Sequence, residues 1–163
     1  MKNRLALILS GGGARAAYQV GVLKAIAEML PRHAHNPFPI ICGTSAGALN
    51  AATLVVNARH FRRSVQYLAG IWRNFQTGDV YRSDPVGAFN NSVRWLVGLL
   101  LSAIGINRMS RVSLLDNKPL VGLLNETLPC EKIQESIDAG YVYALSITAS
   151  GYGSGQSVTF YQG

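Results

Sequence analysis

Ser45 stands in the run Gly43-Thr44-Ser45-Ala46-Gly47, a GxSxG arrangement. A serine used as a nucleophile has to sit on a sharp strand-to-helix turn so that its hydroxyl stands clear of the backbone, and only small neighbours permit that turn. The chemistry such a serine performs is acyl transfer, in which negative charge builds on the carbonyl oxygen under attack. A helix N-terminus beneath the serine favours that charge. So do backbone N–H groups aimed at the oxygen in advance, each contributing about 3–4 kcal/mol. Gly11-Gly12-Gly13 lies between an apolar run and a helical pattern, so its N–H groups can converge on such an oxyanion. Arg15, just inside the following helix, is the nearest cation; it braces that loop, meets an anionic head group, or is simply a solvated helix-start residue. The plain alternative for Gly43 to Gly47 is a glycine-rich connection carrying an incidental serine.

Two rival uses of the glycines fare worse. Gly11-x-Gly13-x-x-Ala16 nearly fits a dinucleotide fingerprint, which also requires a carboxylate at the end of the next strand. That strand ends in Ile40-Ile41-Cys42. A phosphate-binding P-loop would need Gly-Lys-Ser/Thr, and the sequence has none.

A general base is harder to find. His60 follows Ser45 by 15 residues, at the far end of a helix, and so stands about 20 Å away. His33 and His35 lie beyond the far end of the helix that starts at the glycine loop. If both glycine turns face one site, no histidine of this chain reaches Ser45, and all three read as loop or surface residues. Among the carboxylates, Asp116 reads as a helix N-cap, Asp138 as a helix-end residue, and Asp79 and Asp84 as loop residues. None of them, nor Glu28, Glu126, Glu131 or Glu135, marks itself as the base.

The elements that must position these residues follow from apolar runs and breakers. Leu5 to Leu9 and Phe38 to Cys42 are short aliphatic runs cut by glycine, which is how buried strands read. Ala17, Val20, Leu23, Ile26, Ala27 and Leu30 recur at helical spacing, and Pro31 stops them. Further helices are expected over about 46–59, 61–75 and 131–138, with another opened by Asp116-Asn-Lys-Pro119. Tyr141 to Thr148 and Gln156 to Tyr161 read as strands joined by a glycine-rich turn. Strand, glycine turn and helix in alternation indicate an α/β protein with a parallel sheet. The last element is a strand with nothing after it to cover its edge, which leads us to expect that residues 1–163 are the N-terminal portion of a single, longer domain.

Composition bounds the function classes. The 163 residues are 48% hydrophobic and 14% charged, which excludes a disordered chain. Cys42 and Cys130 form no CxxC pattern, so neither a disulfide scaffold nor a zinc finger fits. Lys2, Arg4 and the aliphatic run after them imitate a signal peptide, but five apolar residues are too few for one. The formal charge of +7 favours anionic partners, either a phospholipid surface or nucleic acid. No nucleic-acid motif occurs and the arginines are not interleaved with aromatics, so nucleic acid is not expected.

Leu-Ile-Leu-Ser-Gly-Gly-Gly-Ala-Arg-Ala-Ala-Tyr-Gln-Val-Gly-Val-Leu (7–23) followed by Gly-Thr-Ser-Ala-Gly-Ala-Leu-Asn-Ala (43–51) resembles the patatin-like phospholipase family. Asp116-Asn-Lys-Pro-Leu with Leu123-Leu124 is similar to a later helix of that family. The resemblance implies a three-layer α/β/α fold with a mainly parallel central sheet. It also implies a Ser-Asp dyad, with Ser45 as nucleophile in an elbow flanked by Gly43 and Gly47, and Gly11, Gly12 and Gly13 lining the oxyanion hole. The substrate would be a phospholipid or other lipid ester, with no metal and no cofactor. Two departures stand out: Ala16 replaces a common glycine, and the family's Asp-Gly-Gly or Asp-Gly-Ala motif is missing. Asp138-Ala-Gly140 imitates it only distantly and precedes the strand at Tyr141. The catalytic aspartate is therefore expected beyond Gly163, leaving residues 1–163 inactive alone.

On this reading Trp95 to Ile106, flanked by Arg94 and Arg108, is either a lid or interfacial helix or a buried core helix. Arg59-His-Phe-Arg-Arg63 is a solvated helix end or an anion-binding patch. The expected location is the cytoplasm, with peripheral membrane contact. The alternative function is a non-catalytic relative that binds lipid or acyl groups on the same scaffold.

Overall fold

The computed structural model of the chain describes residues 5–74, 121–122, 124, 128–151 and 154–163. Two compact units divide the chain, residues 1–74 with 127–163 and residues 75–126. In the second, Val121, Gly122 and Leu124 are helical, within the helix expected after Asp116. The loop residues Asp79 and Asp84, the apolar segment Trp95 to Ile106 and Asp116 itself lie outside the described residues.

The first unit carries the alternation read from the sequence. In order it contains β1 (Ala6–Leu9), a 3-10 turn (Gly13–Arg15), α1 (Ala16–Met29), β2 (Ile40–Thr44), α2 (Ala46–Val56) and α3 (Phe61–Asn74). After residue 127 come α4 (Glu131–Asp138), β3 (Ala144–Ser150) and β4 (Ser157–Gln162). The strands form one sheet in the order β1-β2-β3-β4. β1, β2 and β3 are parallel, with Leu9 opposite Gly43 and Gly43 opposite Ile147, and β4 returns antiparallel to β3. The class is α/β with a mainly parallel sheet, as the sequence indicates.

Side chains alternate across a strand, and this sets the core. Leu9, Ile41 and Leu145 face the helices and are buried, joining Val20, Leu23 and Ala27 of α1, Leu54 of α2, Phe61 and Leu68 of α3 and Ile133 of α4 in one cluster. Ile8 and Tyr161 share the next row of the register and face away, 76% and 86% exposed. Successive parallel strands laid side by side in the same direction, with right-handed crossovers, place their connecting helices on one face. The described residues thus show the sheet and one helical layer; the second helical layer of a three-layer sandwich is not among them.

Local chemistry sets the boundaries. β2 starts at Ile40 and not at Phe38, because Pro39 has no N–H to give the ladder. The strand then runs through Gly43 to Thr44. Leu30 leaves α1 in an extended conformation (φ −90°, ψ 156°), as a residue before proline prefers. Along α1 the buried stripe includes Ala16 in place of the expected Ala17, which is exposed. α2 is apolar almost all round and accordingly buried from Leu49 to Val56. Its Thr53 hydroxyl donates to Leu49 O at 2.8 Å, and Ser64 of α3 donates to Thr53 O at 3.2 Å, so these buried hydroxyls are satisfied.

Candidate active site

At the C-terminal end of β2 the chain reverses into α2 through Ser45, whose backbone lies at φ 53°, ψ −123°. Among the described residues it is the one non-glycine residue with positive φ. Such a conformation costs about 1–3 kcal/mol and persists only where the surroundings enforce it. Here they do. A side chain at Gly47 would collide with the carbonyl oxygens of Leu9 and Ser10, and one at Gly43 would stand 2.7 Å from both Ala48 Cα and Ala51 Cβ. Helix and strands therefore approach more closely than any residue with a Cβ allows. Ser45 N–H donates to Thr148 O of β3 at 3.2 Å, and Ala48 N–H donates to Ser45 O at 2.8 Å, which ties both sides of the turn.

Serine at the start of a helix usually spends its hydroxyl on capping a backbone N–H. Ser45 makes no side-chain cap and is exposed. Its hydroxyl is left for other use, at the N-terminus of an 11-residue helix whose first turn holds no acidic residue.

Gly11 comes to the same place from β1. A Cβ on Gly11 would lie 3.2 Å from Ser45 Cβ and 3.9 Å from Ser45 Oγ. The loop Gly11-Gly12-Gly13 is exposed and leads into the 3-10 turn, closed by Arg15 N–H donating to Gly12 O at 3.1 Å. Among the described residues nothing accepts from the N–H groups of Gly12 and Gly13. Arg15 is exposed at the start of α1. The structure thus sets Gly11 beside Ser45 and places Gly43 and Gly47 on either side of the turn, while Gly12 and Gly13 continue the exposed loop away from it.

A polar network holds the loop to the turn, and the sequence reading did not find it. Asn50 on α2 is fully buried. Its Nδ2 donates to Ala16 O at 3.1 Å and to Gln19 Oε1 at 2.9 Å, while its Oδ1 accepts from Trp72 Nε1 at 2.7 Å. Gln19 Nε2 donates to Ser10 O at 2.8 Å, immediately before the glycines. Four elements are therefore clamped through one carboxamide: the β1–α1 loop, α1, α2 and α3. The available signal was an asparagine within the apolar run of α2, which must find partners when buried.

The histidines stand elsewhere. His33 and His35 are in the α1–β2 loop and His60 in the α2–α3 turn, all at the end where strands begin. Asp138 closes α4 and accepts from Gln134 Nε2 at 2.7 Å; β3 then runs from Ala144 before Thr148 meets Ser45. Glu28 lies near the C-terminal end of α1, away from Ser45, and Glu131 and Glu135 are exposed on α4. Asp79, Asp84, Asp116 and Glu126 lie outside the described residues.

The patatin-like phospholipase family model matches residues 7–144. The protein YjjU of Escherichia coli K12 is 39% identical over 63 residues, 39% of this chain and 16% of that protein. Patatin-like phospholipase domain-containing protein 7 of Rattus norvegicus is 50% identical over 50 residues, 31% of this chain and 3% of its own length. The cUMP-AMP-activated phospholipase of Escherichia coli is 44% identical over 50 residues, 31% of this chain and 16% of that enzyme. The matched segments thus span a small part of each of these relatives. No solved structure matches the chain. With the family match running from β1 to the start of β3 and including Ser45 and both glycine turns, the chain belongs to the patatin-like phospholipase family.

Proposed function

We propose that this chain carries the nucleophile and the oxyanion-binding loop of a serine lipid acyl hydrolase. The observation that carries the reading is Ser45 itself: a strained, exposed, uncapped serine with Gly11 packed against it. Ser45 Oγ attacks the ester carbonyl carbon and gives up its proton to a base. The oxyanion of the tetrahedral intermediate accepts from N–H groups of Gly11, Gly12 and Gly13, with the α2 N-terminus adding its partial positive charge. The C–O bond to the alcohol then breaks as that alcohol takes the proton, leaving an acyl-serine that water hydrolyses through the same oxyanion site. The base in this proposal is an aspartate beyond residue 163, because residues 1–163 contain no Asp-Gly-Gly or Asp-Gly-Ala motif. Residues 1–163 alone would then lack turnover.

The substrate class is a phospholipid or other lipid ester, supported by the family. Among the described residues no helix is long and apolar enough to cross a membrane. Contact with lipid is proposed as peripheral, helped by the net charge of +7.

Ser45→Ala in the protein extending past residue 163 is the test, read as hydrolysis of a p-nitrophenyl ester and of phosphatidylglycerol vesicles. The expected result is a loss of roughly 1,000-fold or more in kcat with the fold intact. Retained hydrolysis would remove Ser45 from the mechanism. Vesicle binding without turnover in the unsubstituted protein would favour a lipid-binding relative on the same scaffold.

A further inference from the structure

The end of the sheet opposite Ser45 concentrates cations around a depression. The α1–β2 loop and the α2–α3 turn are stitched together there: Asn36 N–H donates to Ala58 O at 2.9 Å, Phe61 N–H donates to Ala34 O at 3.1 Å, and His35 Nδ1 lies 2.7 Å from Arg59 O. Between them opens a cleft of about 430 Å³ lined by Arg32, His33, His60, Arg62, Arg63 and Gln66. Every one of these side chains is cationic, protonatable or amide, and no carboxylate lines the cleft.

Arg62 helps to hold the fold, since its Nη2 donates to Leu30 O at 3.1 Å and Glu28 O at 3.4 Å at the end of α1. Its buried Nε has no partner. Arg32 and Arg63 make no comparable bonds, and neither pairs with a carboxylate or caps a helix end among the described residues. Arg63 also lies in the first turn of α3, where the helix dipole opposes a cation. Like charges gathered without counter-charges cost stability, and an anion bound among them removes that cost.

We propose that this cleft is a binding site for a soluble, phosphate-bearing ligand, held by Arg32 and Arg63 with His33 and His60. A phosphate oxygen cluster matches guanidinium forks, and the volume is within the range of small-ligand pockets. A membrane surface offers the same phosphate chemistry but fits less well. α2 has 11 residues, about 16 Å, and separates the cleft from Ser45 at its other end. A bilayer docked at the cleft would hold Ser45 facing away from its lipid. That choice of source rests on Ser45 being the reacting group; the anion site itself does not.

Titration of the folded chain with pyrophosphate at constant ionic strength, followed by calorimetry, tests the site. Saturable binding is expected, weakened about tenfold by Arg63→Ala and by Arg32→Ala, largely restored by Arg63→Lys, and unchanged by Lys132→Ala on exposed α4. With pyrophosphate bound, the His60 imidazole, which partial burial and then Arg63, Arg59, His35 and His33 hold below its usual range, should titrate at higher pH. A second arm uses vesicles of 30% phosphatidylglycerol, to which the Arg63→Ala change should make little difference. No saturable pyrophosphate binding, or an equal response to added chloride, would overturn the proposal. Loss of vesicle binding in Arg63→Ala without pyrophosphate binding would overturn it too, and assign the cleft to a membrane. Because hydrolysis is not the readout, failure here leaves the role of Ser45 untouched.

Discussion

Ser45 holds a backbone conformation that costs free energy, and its hydroxyl repays none of that cost through capping. This is the pattern expected where position matters more than stability. The strain can be measured. Glycine adopts positive φ freely, so Ser45→Gly should be about 1 kcal/mol more stable than Ser45→Ala, which keeps the strain, while both lack hydrolysis. Urea denaturation reads the difference; equal or reversed midpoints would mean that the turn is not strained. At this scale much was legible. GxSxG shows itself in sequence because the constraint is on side-chain size within five adjacent residues. Gly47 cannot carry a Cβ beneath Leu9 and Ser10, and Gly11 has little room beside Ser45. Asn50 was not legible, since its partners lie 34 and 31 residues away and no local pattern records them.

Helix α2 joins the two halves of the candidate site. Its N-terminus carries Ser45, and Asn50, one turn further along, fixes the loop that supplies the glycines. Replacing Asn50 by leucine removes three hydrogen bonds and leaves Gln19 Oε1 and Trp72 Nε1 without that partner. A loss of about 2–4 kcal/mol is expected, from the desolvation of the groups stranded. The more specific consequence is kinetic. Asn50 touches no substrate, so the change should lower kcat for ester hydrolysis through a displaced oxyanion loop while leaving KM nearly unaltered. A fall in stability with kcat intact would confine Asn50 to a structural part. The strands and helices themselves were readable from apolar runs, glycine breaks and Pro31. Their ends were less so: Pro39 delays β2, and α2 stops at Val56, short of Arg59, where the chain must turn to bring α3 back over the core.

Over the whole chain, the charge of +7 was visible in composition and the cluster Arg59 to Arg63 in the sequence, but that Arg32 and His33 join it was not. His33, His35 and His60, read from the sequence as lying at the far ends of two helices, gather at one end because α1 and α2 both finish there. Partial burial, then Arg63, Arg59, His35 and His33, lower the pKa of His60. A base with a depressed folded-state pKa resists a proton that the unfolded chain accepts. Its contribution is therefore absent above about pH 6.5 and turns destabilising as the pH falls below that value. His60→Gln should shrink the loss of stability between pH 7.5 and pH 5.5, measured as the shift in urea midpoint; an unchanged shift would place the acid sensitivity elsewhere.

The fold explains why no histidine serves Ser45: the same helices that end at the cationic cleft begin at the glycine turns. Asp138, which closes α4 ahead of β3, stands at that same far end, and the base is proposed to lie beyond residue 163. The decisive experiment is fluorophosphonate labelling of the protein extending past that residue, with the modified peptide mapped by mass spectrometry. A covalent adduct on Ser45 is expected, absent in Ser45→Ala and much slower to form in residues 1–163 alone. An adduct on a different serine, or none at all on a folded protein, would refute Ser45 as the nucleophile.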